Sequence, residues 1–200
     1  DALKHYCGVS YEKVAVVPAF LRPSADEYQT SARSGPGVFL ASGYGTPLYC
    51  WDGLLDAARP LPNIRELVLA FYAKYDGPYF RSVIEKATGE FPFKITIHKD
   101  LSPEQFQDEL ARCSVFVRPT LVDGDSVALR EALALGKSVV ASDAVPRPAG
   151  CLLFRTGDLQ DLRLKLAAAT ERPPSRNDIV EDFSQPLLQV YRAVMGVESL

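Results

Sequence analysis

The stretch from Ser114 to Asp143, SVFVRPTLVDGDSVALREALALGKSVVASD, leaves this chain few ways to fold. Ser114 to Val117 is a short apolar run of the kind buried in a parallel sheet, and Pro119 ends it because proline cannot donate to a strand ladder. Asp123-Gly124-Asp125-Ser126 then reads as a turn whose Asp125 or Ser126 caps the amides that follow. Val127, Leu129, Ala132, Leu133 and Leu135 recur at helical spacing, and Gly136 is expected to close that helix in the left-handed conformation. Ser138 to Ser142 is again short, apolar and β-branched. The stretch therefore predicts one strand-helix-strand unit with the right-handed crossover that such units take.

That unit defines a place for a ligand. In an open parallel sheet, ligands sit outside the carboxyl ends of the strands, and a helix starting there offers unpaired N–H groups and the positive end of its dipole. Here the place is Asp123 to Arg130, where Gly124 lets the backbone come close and Ser126 and Val127 begin the helix. Asp123 and Glu131 are eight residues apart, so one carboxylate falls on the turn and the other roughly two helical turns along. They would bracket a ligand, not share a proton. Plainer roles stay open for the neighbours: Asp125 as a cap alone, Arg118 as a partner of Asp123 or Asp125, Arg130 as a solvent-facing charge. Glu131 is harder to explain without a ligand, because a carboxylate buried in an apolar helix without a partner is costly.

Composition narrows the partners. Two hundred residues, 47% hydrophobic and 24% charged, suit one globular domain with a sizeable core. A net charge of −3 does not favour nucleic acid, so a phosphate ligand needs a local basic cluster instead. No apolar run approaches a membrane span and no leader peptide opens the sequence. The expected compartment is the cytoplasm, with the inner face of the membrane open to the full-length protein. Cys7, Cys50, Cys113 and Cys151 lack paired spacing, and His5 and His98 are too few for a metal cluster or a Ser-His-Asp set.

The remaining segments alternate in the same way. Lys13 to Val17, Val38 to Ser42, Glu66 to Tyr72, Phe93 to His98 and Cys151 to Phe154 read as further strands. Tyr49 to Ala58, Tyr79 to Ala87, Pro103 to Arg112 and Leu159 to Ala169 read as helices, the third capped by Ser102. Arg22 to Pro36 is an exposed loop by composition, and Asn177 to Met195 a final helix interrupted at Pro186. The aromatic run of Phe71, Tyr72, Tyr75, Tyr79 and Phe80 reads as core first.

Several of these residues carry a resemblance. Asp123, seven residues, Glu131 and then Ala132 to Ser142 (ALALGKSVVAS) resembles the C-terminal signature of retaining glycosyltransferases of the GT-B fold, in the group-1 or glycogen synthase-like family. That pattern is a Glu, seven residues, a second Glu, a small-residue helix end and a Pro-Val-Val-Ala-Ser-like strand. Arg118-Pro119-Thr120, Asp123 to Ser126 and Arg130 to Leu133 look most like its polysaccharide-biosynthesis branch. Gly8-Val9, Glu12-Lys13 and Pro18 are similar to the entry into the second lobe of such enzymes, and Leu152 to Phe154 with Gly157-Asp158 to a later segment of it.

The resemblance covers almost all of this chain but half of such an enzyme. It implies an α/β fold, a Rossmann-like parallel sheet with helices on both faces, forming the second lobe of a GT-B fold. Residues 1–200 would be one donor-binding lobe, with helix 177–200 packing back toward a missing first lobe. The implied enzyme is a hexosyltransferase type that moves a sugar from a nucleotide sugar, with retention, to a glycan or lipid-linked acceptor held by the other lobe. It implies no metal and no cofactor beyond the nucleoside diphosphate sugar as donor substrate, and an isolated lobe that binds donor weakly and transfers nothing.

By the same resemblance Glu131 holds the ribose hydroxyls, Asp123 stands at the donor sugar, and the amides of Gly124, Asp125, Ser126 and Val127 face the phosphates. The base would rest against the strand exit at His98, Lys99, Asp100 and Leu101. Gly43-Tyr44 stands where the family has Gly-Arg, with no basic residue close by in sequence. Arg118, Arg130, Lys137 and Arg147 are then the candidates to neutralise a diphosphate, a task for which an arginine fork is suited. That departure supports a second reading, a non-catalytic nucleotide- or sugar-nucleotide-binding or interaction module of degenerate GT-B type.

Overall fold

A computed structural model of the chain describes residues 17, 35–171 and 183–196. The strand expected at Lys13 to Val17, Val17 apart, most of the loop from Arg22 to Pro36, and the Pro-rich break after Glu171 lie outside the described residues. The chain divides into two units, Pro23–Val180 and the terminal segments Asp1–Arg22 with Glu181–Leu200.

The larger unit is built on six parallel strands: β1 (Val38–Gly45), β2 (Glu66–Tyr75), β3 (Lys94–Lys99), β4 (Val115–Arg118), β5 (Ser138–Ser142) and β6 (Leu152–Phe154). Their order across the sheet is β3-β2-β1-β4-β5-β6. Between them run α1 (Trp51–Ala58), α2 (Gly77–Ala87), α3 (Pro103–Arg112) and α4 (Val127–Ala134), and α5 (Leu159–Glu171) follows β6. Central strands of such a sheet are covered on both sides and need continuous apolar sequence. Accordingly β4 and β5 are buried at every residue and β1 at all but one.

Alternation along the strands separates two cores. Phe39, Leu67, Leu69, Val117 and Val140 share a cluster with Trp51, Leu54 and Leu55 of α1, Phe80 and Val83 of α2, and Leu162 and Leu166 of α5. On the opposite face α3 lies against β1 and α4 against β4 and β5, where Leu110, Leu129 and Leu133 are buried. Each such side chain contributes roughly 1.5–3 kcal/mol by leaving water.

The helix starts follow their sequence signals. Ser102 and Gln105 form a reciprocal capping box on α3, Asp76 caps α2 through the Tyr79 amide, and Gly136 takes a φ of 71° just past α4. Ser126, not Asp125, is the residue that caps α4.

Three expectations are corrected. The helix read from Tyr49 to Ala58 is divided: a 3-10 turn at Pro47–Tyr49 ends at Cys50, whose φ is 48°, and α1 begins at Trp51. β2 runs on to Tyr75 through Ala73 at a φ of 61°, which carries Tyr72 and Tyr75 to the surface at 38% and 36% exposed. Lastly, Pro186 does not interrupt the final helix of the smaller unit, α6 (Ser184–Met195); it sits in the first turn, where proline's missing N–H is no loss.

Candidate functional site

The order β3-β2-β1-β4-β5-β6 reverses between β1 and β4, and a crevice opens at the carboxyl ends of strands at such a switch point. A pocket of about 440 Å³ lies there. Ser42 of β1, Arg118 of β4 and Ala70 to Tyr72 of β2 line it from the strands, Leu101, Pro103 and Phe106 from the β3–α3 connection. Asp125, Ser126 and the α4 residues Val127, Ala128 and Glu131 line the rest. One wall is apolar and the other carries the start of a helix and two carboxylates.

Beneath the pocket, Asp123 is the centre of a buried clamp. Its oxygens accept from Arg118 Nε at 3.0 Å and Nη2 at 2.8 Å, from Arg147 Nη1 at 2.8 Å and from Thr120 Oγ1 at 3.1 Å. Arg118 also donates to the Ser42 carbonyl at 3.1 Å, and Arg147 to the Ser142 carbonyl at 3.0 Å. Side-chain exposure is 7% for Arg118 and Asp123 and 2% for Arg147. Burial alone would raise the Asp123 carboxyl, but Arg118 first and Arg147 second pull it down to about 2. Asp123, expected at a donor sugar, is thus turned inward with both oxygens engaged, and Arg118 takes the first of its two expected roles, as partner of Asp123.

At the start of α4, Ser126 Oγ accepts from the Leu129 amide at 3.4 Å. Asp125 accepts from Arg130 Nε at 2.8 Å, so Arg130 is tied to the turn and does not simply face solvent. Glu131 is half-buried in the pocket wall; burial raises its carboxyl, and a hydrogen bond with Gln107 of α3 offsets part of the rise. Gln107 Oε1 is buried without a hydrogen-bond partner.

The other sequence candidates scatter. Gly43 serves packing: a Cβ there would stand 1.9 Å from the Tyr49 ring. Tyr44 lies edge-on to Tyr72 at 5.1 Å, with Lys74 Nζ 5.4 Å from its ring centroid, and touches the pocket only through Tyr72. His98 Nε2 is 3.2 Å from Glu109 Oε1, and Lys99 Nζ lies 4.7 Å over the Phe80 ring. Asp100, at a φ of 51°, accepts from the Ala73 amide at 3.0 Å and braces the end of β2. Lys137 donates to the Ala111 carbonyl. Of the strand exit His98 to Leu101, Leu101 alone reaches the pocket. Among the described residues, no group of His, Cys, Asp and Glu is arranged to hold a metal, and no helix is long and apolar enough to cross a membrane.

The structure therefore brings together Leu101, Arg118, Asp125, Ser126, Val127 and Glu131 and adds Ser42, Phe71, Tyr72, Pro103 and Phe106, which the sequence did not place at the site. Ser42 and Tyr72 were within reach of the rule that ligands sit at strand ends. Phe106 follows Pro103 by one turn.

No family model and no curated protein matches this sequence. Solved structures do match. Over 91% of this chain and 50% of theirs, an α,α-trehalose-phosphate synthase (UDP-forming) from Burkholderia xenovorans superposes with a TM-score of 0.68 at 15% identity. For a sucrose-phosphate synthase from Thermosynechococcus elongatus the values are 98%, 56%, 0.69 and 18%. For HepE of Anabaena in complex with UDP they are 94%, 59%, 0.67 and 16%. The chain thus spans between 50% and 59% of the length of these structures. Its six-stranded sheet has the Rossmann-like α/β fold of one lobe of the GT-B glycosyltransferases.

Proposed function

We propose that this chain is the donor-binding lobe of a glycosyltransferase that moves a sugar from a nucleotide sugar, with retention, to a glycan or lipid-linked acceptor. The observation that carries the reading is Glu131: a half-buried carboxylate on α4, facing a pocket at the switch point of a parallel sheet. A carboxylate so placed accepts two hydrogen bonds from a vicinal diol, which is how a ribose is held. The base then lies between Leu101, Pro103 and Phe106, and the phosphates run toward Ser126 and Val127. HepE with bound UDP has the same fold.

In this reading Asp123 is a positioning residue. It fixes Arg118 and Arg147 under the pocket floor and does not itself meet the sugar. Transfer with retention depends on stabilising the departing diphosphate by fixed dipoles and cations. The acceptor and the rest of that stabilisation come from the other half of the enzyme, so the chain alone binds donor weakly and turns nothing over. A cytoplasmic enzyme drawing on soluble nucleotide sugars fits this chemistry.

Calorimetric titration of the chain with UDP, GDP, dTDP and ADP tests the reading. Saturable binding of one nucleotide, lost in Glu131→Ala, supports it and names the donor base. No binding by the full-length protein sinks it. The commitment of both buried arginines to Asp123 favours a second reading, a nucleotide-binding module that no longer catalyses; sugar transfer by the full-length protein would exclude that one.

A further inference from the structure

The charges around the pocket cancel within the chain. Arg118, the cation among the described residues that line it, directs all three guanidinium nitrogens inward, Nε and Nη2 to Asp123 and Nη1 to the Ser42 carbonyl. Arg147 is 2% exposed and bonds to Asp123, Thr120 and Ser142. Arg130 holds Asp125 at 2.8 Å. Two guanidinium groups thus converge on Asp123 and a third holds Asp125, while Glu131 has Gln107 of α3 beside it.

The start of α4 offers little to compensate. Ser126 Oγ already occupies the Leu129 amide, and the Asp125 carboxylate stands in the pocket wall beside that helix start. A phosphate brought there gives up its water next to two carboxylates, while Arg118 and Arg147 are committed to Asp123 and Arg130 is paired with Asp125, and phosphate affinity comes chiefly from charge-assisted hydrogen bonds to such cations. The opposite wall is different in kind. Leu101, Pro103 and Phe106 are apolar, a surface for a flat heterocycle, and Glu131 is an acceptor for hydroxyls.

Building on the nucleotide-binding reading, we infer that this pocket recognises the base and ribose, a neutral nucleoside, and gains little affinity from the diphosphate. The counter-charge for a diphosphate then does not come from the residues that line this pocket, and base selection and phosphate capture are separate steps.

Titration calorimetry of the whole chain tests this with four series: uridine, guanosine, thymidine and adenosine, each with its mono- and diphosphate, at about 50 and about 500 mM salt. For the base that binds, nucleoside and diphosphate are expected to lie within tenfold of each other in Kd, with little change between the two salt concentrations, and both lost in Glu131→Ala. A diphosphate more than tenfold tighter than its nucleoside, weakening as salt rises, overturns the inference and leaves the nucleotide-binding reading standing. Nucleoside binding that survives Glu131→Ala places the ligand elsewhere and also overturns it. Should no nucleoside and no nucleotide bind to the chain, the inference falls, and the nucleotide-binding reading falls with it only if the full-length protein also fails to bind.

Discussion

Arg118 and Arg147, 29 positions apart in sequence, meet on one carboxylate, Asp123, at 2.8 Å each. Removing one member of a buried ion cluster leaves its partners charged and desolvated, which costs about 3–5 kcal/mol. Asp123→Ala should lose that much stability in urea denaturation, and Asp123→Asn less, because the amide oxygen still accepts. A loss below about 1 kcal/mol in the alanine variant would show that the clamp is not held as described.

Acid should undo the same cluster. The Asp123 carboxyl is held at about 2, below its ordinary 3.8, so its contribution is complete above pH 3.8 and disappears as pH falls through 2. Linkage puts this near 2 kcal/mol, to order of magnitude. Glu66 behaves alike: burial opposes, but Arg112, Thr96 and Lys94 hold it at about 2 against an ordinary 4.5. The urea midpoint should therefore be flat from neutrality to about pH 5 and fall steeply below 4, and the fall should be shallower in Asp123→Asn.

At Gly43 the reason for glycine is contact, not conformation. A Cβ would stand 1.9 and 2.1 Å from two ring carbons of Tyr49, whose ring in turn lies 4.8 Å beneath the Arg118 guanidinium. Gly43→Ala should cost about 1–3 kcal/mol by overpacking. In a Tyr49→Ala background the same change should cost less than about 0.5 kcal/mol, a coupling that a double-mutant cycle measures directly.

Glu131 should show function opposed to stability. Its carboxyl is raised by burial, so the charged form is disfavoured in the fold and stability is gained as the group takes up its proton. Glu131→Gln removes that penalty, and thermal denaturation at neutral pH should show a higher Tm. The same variant should bind nucleoside and nucleotide about tenfold or more weakly, since a charged acceptor for hydroxyls is gone. A variant that lost both stability and binding would point to a packing role for Glu131.

The central unit was legible because its signals are local: an apolar run closed by Pro119, a cap at Asp125 or Ser126 that the structure gives to Ser126, helical spacing and Gly136. What escaped the sequence depends on distance. Arg147 sits in a proline-punctuated loop, and nothing near it says that its partner lies 24 residues back. The turn at Tyr49 and Cys50 overrode an otherwise helical pattern because Trp51 had to enter the core, where it lies 1% exposed and 4.4 Å from Phe71. The length of β2 rests on the Asp100 brace to Ala73, a contact between two chain segments that no periodicity encodes. Gln107, a polar residue on an exposed-looking helix, gained its meaning only when α3 was laid beside Glu131.

Leu121 N donates to the Leu48 carbonyl at 2.8 Å, which ties the loop after β1 to the loop after β4 across the switch point. The two loops are therefore one inheritable part. A graft that exchanged either loop alone, to borrow the ligand preference of another protein, would leave the other with a broken seam. The unit of exchange at this site is the pair, although 72 residues separate its two halves in the sequence.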